Sequence, residues 1–318
     1  MRWLDMNRIH LLTKFFRRNF SASPFHRQLD PFTRRLFKLP SPPPSPSQHH
    51  NDLASFLAHA ERTALPTTST TYIGTHYEYT VQQTLRHFAF SLHRVGGRDD
   101  AGVDLVGTWH LPQHEHPLRV FVQCKALKTK LGPNLVRELE GTFRRSPVGW
   151  RTGTKIGILV GPREATKGVR DAMARSAYPL LWMMVERNGE LHQALWNGCA
   201  EDLGLGALGV EMVYGVGALG RRIRLTWDGS ELPSMDQVED LMMQRQNEWL
   251  RLWDADSEMS AARRGELLDL VQQLYPDEKP LLLGAGTCTT LTETDRSKVL
   301  QLLRNRLQTP AENTESSA

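Results

Sequence analysis

Two apolar runs of strand length, KIGILVG (155–161) and PLLWMMVE (179–186), flank a helical stretch, Glu164–Arg175. This alternation constrains the fold more than any other feature of the chain. Strand–helix–strand units belong to sheets covered by helices. Ahead of it, Val103–His110 and Arg119–Lys125 are short β-rich runs joined by the polar loop LPQHEHPL. Asp52–Arg62 and Thr71–Phe90 carry apolar residues at helical spacing, and Pro133–Arg145 reads as a further helix. The order α, β, β, α, β, α, β implies a mixed sheet with helices on both faces. Val210–Tyr214 and Arg222–Trp227 read as a closing hairpin, and 235–252, 258–274 and 291–307 as acidic helices.

The ends of the chain are of a different kind. Residues 1–20 hold Arg2, Arg8, Lys14, Arg17 and Arg18 against Asp5, which accounts for the whole net charge of +4. Amphipathic, arginine-rich and acid-poor, this segment matches a mitochondrial transit peptide and points to the mitochondrion, in the matrix. SPPPSPSQHH (41–50) has four prolines and no aliphatic residue, so 21–50 reads as a Pro/Ser-rich disordered linker, with order starting near Asn51. No apolar run of about 18 residues exists, so no membrane span is expected. Cys124, Cys199 and Cys288 include no CxxC pair, which excludes a disulfide framework and a zinc finger and implies a reducing compartment.

Side-chain alternation puts Phe121, Gln123 and Lys125 on one face of the second β-run and Val120, Val122 and Cys124 on the other. If His110 opposes Arg119, Asp104 falls opposite Lys125 and diagonal to Gln123. Acid, amide and ammonium then cluster at the open end of the hairpin, where the preceding helix adds Glu78. Core packing does not require such a group, and a buried carboxylate needs a partner or a metal.

These residues, as Gly74-x-x-x-Glu78, Gly97-x-x-Asp100-x-Gly102-Val103-Asp104-Leu105 and Val122-Gln123-Cys124-Lys125, resemble the restriction-endonuclease-like, PD-(D/E)xK nuclease superfamily. The Mrr-type branch, in which glutamine replaces the second acid, is the most similar. With the N-terminal address, GPREATKGVRDAM and HQALWN also resemble the fungal mitochondrial family Required for Respiratory Growth protein seven. The resemblance covers roughly 70–230 and implies a restriction-endonuclease-like α/β core, placed over 51–232; the acidic helical extension at 233–307 and a disordered tail at 308–318 lie outside it. It implies a Mg²⁺-dependent nuclease acting on nucleic acid, with mitochondrial DNA expected, and a role in respiratory growth and genome maintenance.

In that reading Asp104 is the central metal ligand, the Cys124 carbonyl a second and Glu78 a direct or water-bridged contact. Gln123 offers a neutral amide oxygen, and Lys125 orients or deprotonates water and stabilises transition-state charge. Asp100 and Gly102 shape the turn. Residues 119–175 hold 13 basic and 4 acidic side chains, a surface suited to phosphates. Lys128, Lys130, Lys167 and Arg170 are its candidate contacts. The alternative is a catalytically silent nucleic-acid binder of the same fold.

Other signals carry less. Gly204-Leu-Gly206-Ala-Leu-Gly209 and Gly215-Val-Gly217-Ala-Leu-Gly220 match GxGxxG without the strand-to-helix context of a dinucleotide site, and read as turn glycines. His110, His114 and His116 read as a solvated loop, Cys124 as a core residue, and His192 as a structural histidine. The acidic helices at 225–318, with 9 basic and 17 acidic side chains, are expected to pack on the core or one another, or to offer a protein-partner interface.

Overall fold

The computed structural model describes residues 29–96, 102–144, 149–150, 154–214, 221–253, 259–280 and 289–308. The chain divides into a unit of residues 1–30 and one of 31–318. The transit-peptide segment, Gly97, Asp100, Cys288 and the tail beyond 308 lie outside the described residues.

The second unit is mixed α/β. Helices α1 (Pro31–Leu36), α2 (Leu53–Arg62) and α3 (Thr70–Arg86) lead into strands β1 (Phe90–Arg94), β2 (Leu105–Trp109) and β3 (Leu118–Cys124). Then follow α4 (Asn134–Thr142), β4 (Lys155–Gly161), α5 (Lys167–Arg175), β5 (Leu180–Val185) and β6 (Leu191–Trp196). Among the described residues these strands form a six-stranded sheet in chain order. The β1–β2–β3 meander is antiparallel, β3–β4 and β4–β5 are parallel, and β6 returns antiparallel. Each parallel step takes its crossover through a helix, as the alternation of the sequence requires. The turn α6 (Gly198–Glu201) precedes a small sheet of β7 (Leu208–Tyr214), β8 (Arg221–Trp227) and β9 (Ser230–Glu231). Helices α7 (Met235–Arg251), α8 (Ala261–Leu274) and α9 (Glu293–Gln308) follow.

Local chemistry sets the helix starts. Ser69 and Thr166 accept hydrogen bonds from the amides of Tyr72 and Val169, and Ser234 with Gln237 forms a capping box. One face of the sheet, through Val106, Phe121, Leu159, Leu180 and Trp182, packs with Leu135, Val136 and Leu139 of α4 and Val169 and Met173 of α5. Alternate residues Leu105, Val120, Val122, Ile156, Ile158, Val160, Leu181 and Met183 are equally buried. A strand buried on both faces reads as a continuous apolar run, which is why KIGILVG was legible.

Three elements differ from the sequence expectation. The helix expected over 71–90 ends at Arg86, and Ala89, at φ 64°, turns the chain into β1. Phe90 and Leu92 are buried and alternate with the partly exposed Ser91 and His93, the period of two of a strand. Strand β6 was hidden by its polar His192 and Gln193. Within the expected linker, Pro31–Leu36 is helical, with Leu36 and Phe37 buried. Its Thr33 hydroxyl donates to Gln246 Oε1 of α7 at 2.6 Å, and Arg35 pairs with Asp269 of α8 at 2.5 Å. Apolar positions too few to stand out in a proline-rich stretch thus acquire a partner only in three dimensions.

The acidic helices fold onto the rest of the unit. Met235, Val238, Met242 and Trp249 of α7 are buried, and Arg86 of α3 pairs with Asp236 and Glu239 at 2.7 Å each. That apolar face is therefore spent within the chain rather than presented to a partner. Glu278, after α8, is buried and accepts hydrogen bonds from Trp249 Nε1, the Thr289 hydroxyl, and the Thr290 amide and hydroxyl. Glu278→Ala strands these donors and should lower stability by roughly 2–3 kcal/mol in chemical denaturation. An unchanged midpoint would contradict the role given to this carboxylate.

Candidate functional site

The geometry begins with the pairing of β2 and β3. Thr108, not His110, opposes Arg119, and Trp109 opposes Leu118. The register is thus two residues from the one expected. A two-residue shift keeps each side chain on its face and changes its neighbour. His110 leaves the hairpin instead: its amide donates to Ala89 O, and its ring is buried with Nε2 3.0 Å from the Thr108 hydroxyl. Burial, then the charge of Arg34, pushes its pKa down to about 3. The solvated-loop expectation fails for this histidine.

A bulge then re-aims Asp104. The amides of Val95 and Gly96 both donate to the Asp104 carbonyl, at 2.8 and 2.9 Å, while the Asp104 amide donates to Val122 O. Two residues facing one is a β-bulge, which tilts side chains at a strand end. Val103 and Val106, three residues apart, both join the apolar cluster under α4 and α5, so strict alternation does not run through Asp104. Its Oδ2 accepts a hydrogen bond from the Cys124 amide at 2.6 Å.

Glu78, from α3, meets Asp104 over Gly96. A Cβ at position 96 would lie 3.2 Å from Glu78 Oε2 and 3.3 Å from Asp104 Oδ1, so glycine leaves open the volume the two carboxylates share. Arg94, two residues earlier on β1, donates its Nε to Glu78 Oε2 at 2.5 Å, and this pair is largely shielded from solvent. The Cys124 thiol lies among these charges. Burial, then Asp104 and Glu78, pushes its pKa well up against the opposing effect of Lys125 and Arg94. It is therefore a packed thiol, not a nucleophile.

Gln123 and Lys125 meet a different acid. Gln123 is 1% exposed, and its Nε2 donates to Glu138 Oε1 of α4 at 2.6 Å. The Lys125 ammonium donates to the same oxygen at 2.8 Å. Gly102, at φ 83°, carries the chain past Gln123, where a Cβ would sit 3.2 Å from Nε2. The Gln123 Oε1 is buried with no hydrogen-bond partner among the described residues. The structure thus makes two adjoining groups, Glu78–Arg94–Asp104 and Gln123–Lys125–Glu138, across adjacent residues of β3. Asp104 and Lys125 are not the directly opposed pair that the sequence suggested.

Glu138 and Arg94 had no mark in the sequence. Glu138 stands 13 positions after Lys125 on an ordinary amphipathic helix, and Arg94 lies on β1, between the helix expected to end at Phe90 and the turn at Gly96-Gly97, where no strand was expected. Burial favours a neutral Glu138, but the hydrogen bond and charge of Lys125, with the Gln123 amide, hold its carboxyl below the usual carboxylate range. A depressed carboxyl contributes stability above its unfolded pKa and loses it as pH falls through the folded value. Lys125→Met should therefore raise the Glu138 pKa toward the ordinary glutamate value in an NMR titration. An unmoved titration would show that the pair is not coupled.

The expected phosphate contacts are dispersed. Lys128 and Lys130 are exposed in the loop after β3. Lys167 pairs with Asp171 at 2.7 Å, and Arg170 donates to Ala165 O at 2.9 Å. Both lie on α5, where Lys167 keeps most of its exposure. Gly204, at φ 98°, belongs to the turn before β7, while 215–220 lies outside the described residues.

The family model of Required for respiratory growth protein 7 matches residues 69–116 and 112–214. An uncharacterised mitochondrial protein of Schizosaccharomyces pombe is 36% identical over 152 residues, 46% of this chain and 60% of that protein. Required for respiratory growth protein 7, mitochondrial, of Saccharomyces cerevisiae is 28% identical over 171 residues, 41% of this chain and 71% of that protein. The namesake of Zygosaccharomyces rouxii is 25% identical over 158 residues, covering 37% and 65%. The family match covers less than half of the chain and falls within its α/β part, and α7–α9 lie outside it. No solved structure matches the chain.

Proposed function

Taking the respiratory-growth family match as premise, we propose that this chain is a mitochondrial protein that hydrolyses nucleic-acid phosphodiesters with Mg²⁺. In this reading its α/β part is a restriction-endonuclease-like core working in the matrix on mitochondrial DNA, in support of respiratory growth. The observation that carries the reading is the approach of Glu78 and Asp104 to one open volume over Gly96, beside the end of β3, where Gln123 and, just past it, Lys125 stand. The antiparallel meander running into parallel strands suits such a core.

The donor set fits a hard cation. Glu78 and Asp104 offer carboxylate oxygens, and Gln123 Oε1 is a buried acceptor with no hydrogen-bond partner among the described residues. Asp104 and Glu78 would hold Mg²⁺ with the Cys124 carbonyl, and the ion would supply charge neutralisation and an acidified water. The chain does the rest. Lys125 places an ammonium where negative charge develops on phosphate, and Glu138 fixes its direction. Lys128, Lys130, Lys167 and Arg170 hold the polyanion by charge.

One observation favours the second reading, a silent nucleic-acid binder. Arg94 neutralises Glu78 and Glu138 engages Lys125, so both groups already have protein partners. The deciding assay incubates purified protein with single- and double-stranded DNA and RNA, with Mg²⁺ or chelator. Mg²⁺-dependent cleavage lost in Asp104 and Lys125 variants supports the enzyme. Salt-sensitive binding without cleavage supports the binder, and neither result would sink both readings.

A further inference from the structure

Outside the site described above, the turn joining β5 to β6 brings three potential ligands together. Glu186 N–H donates to Glu190 O at 2.8 Å and Gly189 N–H to Glu186 O at 3.0 Å, with Gly189 at φ 89°. This closed turn holds two glutamates on facing arms of a hairpin, where like charges repel. His192, two residues past Glu190, returns to the same side. Its Nε2 lies 3.6 Å from Glu186 Oε1 and 3.5 Å from Glu190 Oε2. All three ligand atoms lie within 4.8 Å of one another.

Those distances discriminate between two kinds of contact. A charged N–H to carboxylate hydrogen bond runs at about 2.7–2.9 Å, well inside them. Ligand atoms sharing a tetrahedral cation with bonds of about 2.1 Å stand about 3.4 Å apart. The two distances from His192 Nε2 to the carboxylate oxygens, 3.6 and 3.5 Å, match the second spacing. The His192 Nε2 is also shielded from solvent and has no hydrogen-bond partner among the described residues. A solvent-shielded imidazole nitrogen between two carboxylates takes up a cation, either a proton or a metal, and spacings of 3.5–3.6 Å suit a shared metal better than a hydrogen-bonded proton.

We propose that Glu186, Glu190 and His192 bind one first-row divalent cation of the zinc class. Imidazole with carboxylate suits zinc better than magnesium, which takes oxygen alone, and three protein ligands leave a position for water. The half-exposed carboxylates give the ion access from solvent. The bound ion braces the turn. Arg187, inside it, donates to Ala126 O at 2.8 Å, next to Lys125, and Thr84 of α3 donates to Gly189 O at 2.9 Å. The site stands apart from the phosphodiester reading and survives its failure.

The test titrates the full chain with Zn²⁺ by calorimetry and with Co²⁺ by visible absorption. Wild type should bind one ion more than His192→Ala, with the corresponding Co²⁺ band absent from that variant. Glu186→Gln and Glu190→Gln, which keep size and hydrogen bonding, should each weaken this ion by about tenfold or more. Asp104→Asn should leave it unchanged. Superimposable titrations of wild type and His192→Ala overturn the proposal. So does equal loss in Asp104→Asn, or NMR signals of the His192 ring that added Zn²⁺ leaves unchanged.

Discussion

Under the proposed phosphodiester hydrolysis, Asp104→Asn should reduce Mg²⁺-dependent cleavage by roughly a thousandfold while nucleic-acid binding and thermal unfolding stay near wild type. The expectation rests on separating charge from scaffold. The Asp104 Oδ2 accepts the Cys124 amide at 2.6 Å, and an asparagine oxygen can accept the same bond. The bulge at Val95 and Gly96 uses the Asp104 carbonyl, which the substitution does not touch. What disappears is one full negative charge facing Glu78 over Gly96. Losing a central carboxylate from a hard-cation site is worth several kcal/mol, or roughly three powers of ten in rate. Lys125→Ala should cost on the order of a hundredfold through lost transition-state stabilisation. Cleavage unchanged in both variants removes the enzyme reading. Binding without cleavage in wild type leaves the silent binder.

Gly107→Ala is the substitution expected to damage the fold most, by roughly 3–5 kcal/mol. Gly107 sits in the middle of β2, a strand buried along its whole length. A Cβ there would stand 1.9 Å from the Ser91 carbonyl oxygen and 2.9 Å from the Leu92 Cα, both backbone atoms of β1. No rotamer change relieves an overlap with backbone, so β1 must move. The Gly107 carbonyl also accepts the buried Trp150 indole at 3.0 Å. The strand displaced is the one that carries Arg94 and leads to Gly96, so site and fold should fail together. Denaturation of the variant at the wild-type midpoint would refute the overlap.

The helix–strand alternation was legible because buried parallel strands are apolar on both faces and their crossovers are amphipathic. KIGILVG and PLLWMMVE became β4 and β5 almost residue for residue. Elements with mixed faces were harder to see. Strand β1 went unmarked because its Phe90 and Leu92 follow directly on the helical pattern that ends at Phe88, and the decision falls to the left-handed turn at Ala89. Pro31–Leu36 became a helix because α7 and α8 offer it a surface, through Gln246 and Asp269, that no local window contains.

The candidate site divides in the same way. Sequence alone identified Glu78, Asp104, Gln123 and Lys125 as polar residues with no reason to sit at strand ends. Hairpin parity also assigned Gln123 and Lys125 to one face. It could not set the register, because a shift of two residues preserves every hydrophobic contact pattern that sequence can express. The bulge that turned Asp104 toward Cys124, the arginine on Glu78 and the glutamate on Lys125 come from segments 13 to 20 positions apart. Local periodicity determined which strands and helices this chain makes. Only tertiary packing decided which charges meet, because partners across a sheet are chosen by backbone pairing and helix docking rather than by spacing along the chain.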